Sequence, residues 1–201
     1  MTINYYNSAL KRGKSHRIMA PPTERFEELG CVGLHNNLIA DGLPSEAADC
    51  DLYYSEPPVA HSGLKIFDER AGQTTVYMEL AEAIAKAATQ SRLPVIGIFS
   101  ELIIRRMPTP PDSQLRIMLN GDQSKVSTWG LELPGELAGK TNLDVAHWAG
   151  LNYTRAVDPC CGYGRPLLAF REAREGNTFV GADYDATCIT VMRGFLLRGI
   201  Q

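Results

Sequence analysis

Residues 156–164, Ala156-Val157-Asp158-Pro159-Cys160-Cys161-Gly162-Tyr163-Gly164, run a short β-forming stretch into a turn with two glycines. A side chain at either glycine would hold the backbone away from a bound molecule. Pro166 suits the first turn of a helix, Leu167, Phe170 and Ala173 supply its buried stripe, and Gly176 stands where the helix would end. Residues 178–182 then read as a second strand, which delivers Asp183 to the carboxyl edge of a sheet. A carboxylate there, about twenty residues beyond the turn, can accept hydrogen bonds from both hydroxyls of a ribose. Strand, glycine turn, helix, strand and acid together predict a seat for a nucleotide-like cofactor at a helix N-terminus. Asp158 narrows the ligand. A carboxylate ending the first strand repels a pyrophosphate but pairs with an amino acid's ammonium group, which favours S-adenosylmethionine over NAD.

Upstream, apolar periodicity and turn residues alternate strands with helices, the pattern of an α/β fold whose mostly parallel sheet is covered on both faces. Residues 34–40 read as a short strand ending at Asp41, and residues 51–54 as a second strand that stops at Ser55-Glu56-Pro57-Pro58. From Thr75 onward, Val76, Leu80, Ala83, Ile84 and Ala87 recur at helical spacing, with Glu79, Glu82 and Lys86 on the other side. Pro94 opens Val95-Ile96-Gly97-Ile98-Phe99, apolar on both faces as a buried parallel strand requires. After a proline-punctuated loop at 105–111, residues 115–119 and 126–133 form an expected antiparallel hairpin around Asn120-Gly121-Asp122-Gln123-Ser124. Residues 143–151 make a weaker helix, leading into the strand at 155–157.

The chain has 201 residues, 44% hydrophobic and 21% charged, enough for one globular core and short for two, so a single domain over 1–201 is expected. Its formal charge of -3 argues against gripping nucleic acid over the whole surface. One local excess exists: Lys11, Arg12, Lys14 and Arg17 fall in the first 22 residues with no acid among them, and read either as a phosphate-contacting arm or as a solvated, frayed terminus. The five cysteines form no C-x-x-C pair and no regular spacing with the four histidines, so neither a metal site nor a disulfide framework is expected. With no apolar run long enough to span a membrane and no apolar core of a signal peptide, the expected place is soluble, intracellular and cytoplasmic.

The residues also resemble a family. Asp158-Pro159-Cys160-Cys161-Gly162-Tyr163-Gly164 is similar to the D-P-F-x-G-x-G motif of the S-adenosylmethionine-dependent amino-group DNA methyltransferases, which methylate adenine N6 or cytosine N4, and Phe179-Val180-Gly181-Ala182-Asp183 to their F-I-G-I-E strand. The stretches 39–45 and 51–59 resemble the family's run from a cofactor-contacting acid to the catalytic D-P-P-Y tetrapeptide. That segment precedes the glycine turn, which is the circularly permuted order of the β-type members. The resemblance implies a Rossmann-like methyltransferase fold in which Asp158, Pro159, Cys160, Gly162 and Gly164 hold the methionine part, Asp183 the ribose and Asp41 the adenine region. It implies a catalytic group of Glu56, Pro57 and Pro58, DNA as acceptor, and a cofactor-covering helix within 140–151.

Two departures qualify it. Glu56 and Val59 stand where the family has a shorter polar residue and an aromatic that stacks on a flipped-out base. Glu56 can still accept a bond from an amino group, whereas Val59 cannot stack. Tyr53, Tyr54 or His61 would have to replace the aromatic, although a tyrosine pair within a strand reads more simply as packing. The stretch between the hairpin and Lys140 also leaves little room for a target-recognition insertion, so specificity would come from short loops, a partner or nothing at all, and a homo-oligomer or protein partner is expected. Two other readings stand beside the DNA enzyme: a degenerate methyltransferase fold that binds cofactor or a protein without catalysis, and a methyltransferase with a non-DNA acceptor. The adjacent Cys160 and Cys161 do not suggest thiol-based cytosine C5 chemistry, because they lie in the cofactor turn rather than on the catalytic loop.

Overall fold

The computed structural model describes residues 22–57 and 75–198. Eight strands, β1 (Arg25–Glu28), β2 (Cys31–His35), β3 (Leu52–Ser55), β4 (Val95–Gly97), β5 (Ser113–Leu119), β6 (Asp122–Trp129), β7 (Arg155–Asp158) and β8 (Thr178–Asp183), form one sheet. Its order is β1-β2-β8-β7-β3-β4-β6-β5. The five strands from β2 to β4 in that order are parallel, and β1, β6 and β5 join through antiparallel pairs. The helices are α1 (Leu38–Asp41), α2 (Thr75–Ser91), α3 (Glu101–Ile104), α4 (Asn142–Asn152), α5 (Arg165–Glu172) and α6 (Ala186–Arg198).

Alternation along the central strands sorts these helices into two layers, because successive side chains leave a strand on opposite faces. Leu52, Tyr54, Ala156 and Phe179 point into a core with Val145 of α4, Leu167 of α5 and Ile189 of α6. Tyr53, Val157 and Val180 point the other way, against Leu38 of α1, Ala81 and Ile84 of α2 and Ile103 of α3. The tyrosine pair is therefore core on both faces, at 0% and 1% exposure. In α2 the anticipated stripe holds from Leu80 on: Ile84 and Ala87 are buried, and Leu80 and Ala83 pack half-buried against that layer, while the side chain of Val76 lies outside the described residues.

Several local expectations change, among them the ends of two strands: β4 stops at Gly97 rather than Phe99, and β6 stops at Trp129 rather than Leu133. The strand read over 34–40 ends at His35, because Asn37 caps a helical turn: its side chain accepts the Ile39 and Ala40 N–H groups, and Asp41 closes that turn instead of ending a strand. β1 is an additional edge strand, joined to β2 through Leu29 and Gly30 at φ 53° and 76°. The β5–β6 hairpin turns on Asn120 and Gly121 alone, at φ 53° and 92°, a two-residue type I′ geometry that leaves residues 122–124 free to pair. Finally, α5 stops at Glu172, short of Gly176.

α4 and α5 cross closely over the sheet. A Cβ on Gly150 would lie 2.1 Å from the Phe170 carbonyl oxygen, so only glycine admits this contact. Asn177, 3% exposed, donates from Nδ2 to the carbonyls of Gly150 (2.6 Å) and Phe170 (3.0 Å) and ties both helices to the start of β8. Asn177→Ala removes the amide donor from the Gly150 carbonyl and leaves the Phe170 carbonyl with the Ala173 N–H at 3.3 Å, and should lower the unfolding free energy by about 2 kcal/mol in urea titrations. An unchanged midpoint would show that the amide is not what joins the helices.

Candidate functional site

Numbered from β7, the strands β7, β8, β2, β3 and β4 lie side by side in the order third, second, first, fourth, fifth, the arrangement of a dinucleotide-binding sheet. From β7 the chain crosses to β8 on one side, and from β3 to β4 on the other. Ligands of such sheets bind at the carboxyl ends of the strands where the direction of winding reverses, here between β7 and β3. Asp158 ends β7, and Glu56 follows the last residue of β3.

Asp158 is 1% exposed, and its Oδ1 accepts the Cys160 N–H at 3.0 Å. Burial pushes its carboxyl up to about 8; the Cys160 N–H and the Ser55 hydroxyl oppose the rise, and the charges of Glu56 and Asp183 add to it. Among the described residues no Lys or Arg pairs with it. The neighbouring Ser55 Oγ is itself buried without a hydrogen-bond partner of ordinary geometry. A buried carboxyl of this kind is stabilised as a carboxylate only when a cation arrives.

The turn beyond Asp158 is fastened to β8. Cys161 N–H donates to the Ala182 carbonyl at 2.9 Å, and Gly162 N–H donates to Asp183 Oδ2 at 2.8 Å. Asp183 Oδ1 accepts the Asp185 N–H at 2.9 Å. Asp183 thus holds the turn, and a carboxylate with about four acceptor positions keeps capacity for ribose hydroxyls. Burial raises its carboxyl as well, against those two N–H bonds.

The two glycines differ in role. Gly162 has φ 52°, and a Cβ there would meet nothing within 4 Å, so this side of the turn is open to a ligand. Gly164, at φ 70°, caps α5, and a Cβ there would fall 2.3 Å from Met192 Sδ. Its demand for glycine comes from α6. Pro159 is buried beneath the turn. Burial, together with Asp158 and Asp183, holds the Cys160 and Cys161 thiols far above their ordinary range, so neither supplies a thiolate.

Glu56 meets α4 across the crevice. Its Oε2 accepts the Asn142 Nδ2–H at 2.6 Å, and the Tyr54 hydroxyl donates to the Asn142 carbonyl at 3.2 Å. Burial raises the Glu56 carboxyl, against the Asn142 bond and the nearby Arg165 cation. Sequence reasoning passed over Asn142 and Arg165. The signal for Asn142 was Thr141 with Asp144 three residues on, a capping box that fixes where α4 starts and places Asn142 in its first turn.

Asp158, Pro159, Cys160, Gly162, Gly164, Asp183, Glu56 and the buried Pro57 thus gather around one strand edge. Asp41 is exposed and accepts the Asn37 N–H at 3.1 Å; no hydrogen bond among the described residues joins it to that group. Pro58, Val59, His61 and the basic residues Lys11, Arg12, Lys14 and Arg17 lie outside the described residues. No helix among the described residues is long and apolar enough to cross a membrane, and no group of three or more His, Cys, Asp or Glu among them is placed to hold a metal ion.

No family model matches this chain, and no curated protein matches it by sequence. Solved structures do. M1.HpyAVI matches at 14% identity and TM-score 0.52, over 75% of this chain and 89% of its own. TTHA0409 of Thermus thermophilus, named as a candidate DNA modification methylase, matches in its selenomethionine form at 13% identity and TM-score 0.52, over 75% of this chain and 88% of its own. M1.HpyAVI has also been solved as a complex with SAM, a structure that this chain matches at TM-score 0.49. At these identities the likeness is one of fold: the mixed sheet and flanking helices are built as in M1.HpyAVI and the Thermus protein.

Proposed function

We propose that this chain is an S-adenosylmethionine-dependent methyltransferase that acts on an exocyclic amino group of a DNA base, adenine N6 or cytosine N4. The observation that carries the reading is the meeting of Asp158, the Gly162–Asp183 turn and Glu56 at the point where the sheet reverses its winding. The strand numbering that recovers a dinucleotide-binding order begins at β7 and closes through β2, so the circularly permuted order is part of the same reading.

The residues fit the cofactor on two grounds. Asp158 is a buried acid with no cation paired to it among the described residues, matched to the ammonium of a methionine moiety, and the turn at Gly162 leaves open space where that moiety would pass. When bound, S-adenosylmethionine supplies an electrophilic methyl group on a sulfonium that departs as a neutral thioether. Asp158 anchors the amino-acid end. Asp183 offers its remaining acceptor positions to the ribose. Glu56 accepts a hydrogen bond from the acceptor's amino group, which raises electron density on nitrogen and aims its lone pair. An amino nitrogen that accepts the methyl group would have one proton to shed, and Glu56, raised by burial, is suited to receive it. Pro57 and Pro58 would fix the turn that carries Glu56. Asp41 would lie toward the adenine end, and the basic stretch Lys11 to Arg17 would contact phosphates. DNA as acceptor implies an intracellular site of action, and the short stretch between the β5–β6 hairpin and Lys140 would leave target recognition to short loops, a partner or a second copy.

The test is transfer of tritiated methyl from labelled cofactor into DNA. The parent should label DNA, and Glu56→Ala should reduce the rate at least about a hundredfold. Incorporation that persists undiminished in the variant would remove Glu56 from the mechanism.

One observation favours a different acceptor. Tyr53 and Tyr54 are withdrawn into the two cores, so neither can stack on a flipped-out base. RNA, protein and small amines therefore belong in the same labelling assay.

A further inference from the structure

The bond between Asn142 and Glu56 is short and stands within a closed circuit. Tyr54, in β3, sends its hydroxyl to the Asn142 carbonyl at 3.2 Å, and the Asn142 side chain returns to Glu56, two residues beyond Tyr54, at 2.6 Å. Asn142 has little freedom at its own end. Thr141 accepts the Asp144 N–H, and the Asp144 carboxylate accepts the Thr141 N–H at 2.8 Å, a capping box that locks the first turn of α4. Tyr54 is 1% exposed and cannot give way. A rigid helix start thus grips one oxygen of the glutamate on which the proposed reaction depends. Among the described residues no hydrogen bond reaches the other oxygen, Oε1.

We propose that Asn142 is the positioning residue for Glu56, holding Oε2 so that Oε1 is presented to the acceptor's amino group. This rests on the methyl-transfer reading above and adds to it a reason for glutamate at this position. An aspartate at 56 would fall short of the α4 amide by one methylene, about 1.5 Å, beyond hydrogen-bond reach. The longer acid and the amide on α4 are a matched pair, so the site is built around glutamate.

The groups that face Glu56 are the Asn142 amide and the Arg165 cation, which favour its ionised form, and Asp158 and the Tyr54 hydroxyl, which its charge perturbs in turn. Without the amide, Arg165 alone opposes burial, and Glu56 ionises at higher pH.

Four variants test this: Asn142→Ala, Glu56→Asp, Asn142→Gln, and the double variant Glu56→Asp with Asn142→Gln, in which the lengthened amide meets the shortened acid. Asn142→Ala should lower kcat about ten- to a hundredfold, leave the dissociation constant for S-adenosylmethionine within about twofold, and move the acid limb of the pH–rate profile upward. Each single length change should lower kcat, and the double variant should recover at least about tenfold over the worse single. A purely structural amide would move neither the acid limb nor the length pairing. Unchanged kcat in Asn142→Ala, an unmoved acid limb, or a double variant no better than its worse parent overturns the proposal.

A titration of the Glu56 side-chain carboxyl followed by carbon-13 NMR keeps the two claims apart. A chain that binds cofactor yet labels no acceptor overturns the methyl-transfer reading. In that case, a higher Glu56 titration midpoint in Asn142→Ala than in the parent supports the pairing, and an identical midpoint overturns it.

Discussion

Replacing Asp158 with asparagine is expected to make the protein more stable at pH 8 while removing its affinity for S-adenosylmethionine. The side chain sits 1% exposed at the end of β7, and its carboxyl is raised from 3.8 to about 8. Between those values the folded chain keeps a proton that the unfolded chain has released. The contribution of this group to stability is therefore full below pH 3.8 and is lost as pH rises through about 8. Glu56 and Asp183, also raised by burial, act in the same direction. Asparagine keeps the shape and the acceptor for the Cys160 N–H but carries no charge. The gain at pH 8 should be of order 2 kcal/mol. Urea titrations at pH 6 and pH 8 would measure it: the parent should lose stability between the two, and Asp158→Asn should lose less. A variant that is less stable than the parent at pH 8 would mean that Asp158 is already partnered in the free protein. Binding should fall at least about a hundredfold, because the ammonium loses its anionic partner in a buried setting. Stability and ligand affinity thus pull in opposite directions at this residue, as expected for a group retained for binding.

The second large effect concerns Gly164. Gly164→Ala should destabilise the fold by about 3 kcal/mol, combining a left-handed backbone that disfavours any side chain with overpacking against α6. The new Cβ would lie 2.3 Å from Met192 Sδ and 2.5 Å from its Cγ. Met192 is 0% exposed, and it also abuts Gly181, where a Cβ would meet its Cε at 2.8 Å. It has no free space into which to turn. Shortening Met192 to alanine in the same chain should restore the steric part and leave the backbone part, so the two changes should be non-additive by about 1 kcal/mol or more. Strictly additive losses would show that the glycine is required for its φ alone. Gly162→Ala forms the contrast: with open space around its Cβ, it should cost the fold only the backbone strain while impeding the ligand.

Much of this was legible in the sequence, for reasons that can be named. The run from β7 to β8 could be read because a buried parallel strand, a helix entry at Pro166 and an acid at a strand end each leave a local mark. β4, which takes up the first three residues of the apolar run behind Pro94, and α2, with its periodicity, could be read in the same way. The failures are equally local. Residues 38–41 carry the apolar content of a strand, but the Asn37 cap outweighs it. β1 shows one buried residue among charged neighbours, and its turn places Leu29 at positive φ, a residue that gives no hairpin signal. The site shows the same split. Asp158, Gly162 and Asp183 could be found because a spacing links them, whereas Asn142 lies 86 residues from Glu56, and only the packing of α4 over β3 brings the two together. At Gly164 the sequence marks the glycine but not Met192 of α6, the side chain that a Cβ there would meet.

Whether Asp158 and Asp183 hold S-adenosylmethionine is read out by calorimetric titration of the protein with that ligand near pH 7, repeated in buffers of different ionisation enthalpy. A carboxyl raised to about 8 is mostly protonated at that pH, so pairing with an ammonium should expel close to one proton per ligand bound. Affinity should climb as pH rises toward 8 and fall again as the ligand's own ammonium, ordinarily near 7.7–8.0, loses its proton. One-to-one binding with that proton release is expected, abolished in Asp158→Asn and weakened in Asp183→Ala. Absence of binding in the parent, or binding that Asp158→Asn and Asp183→Ala leave unchanged, would contradict it.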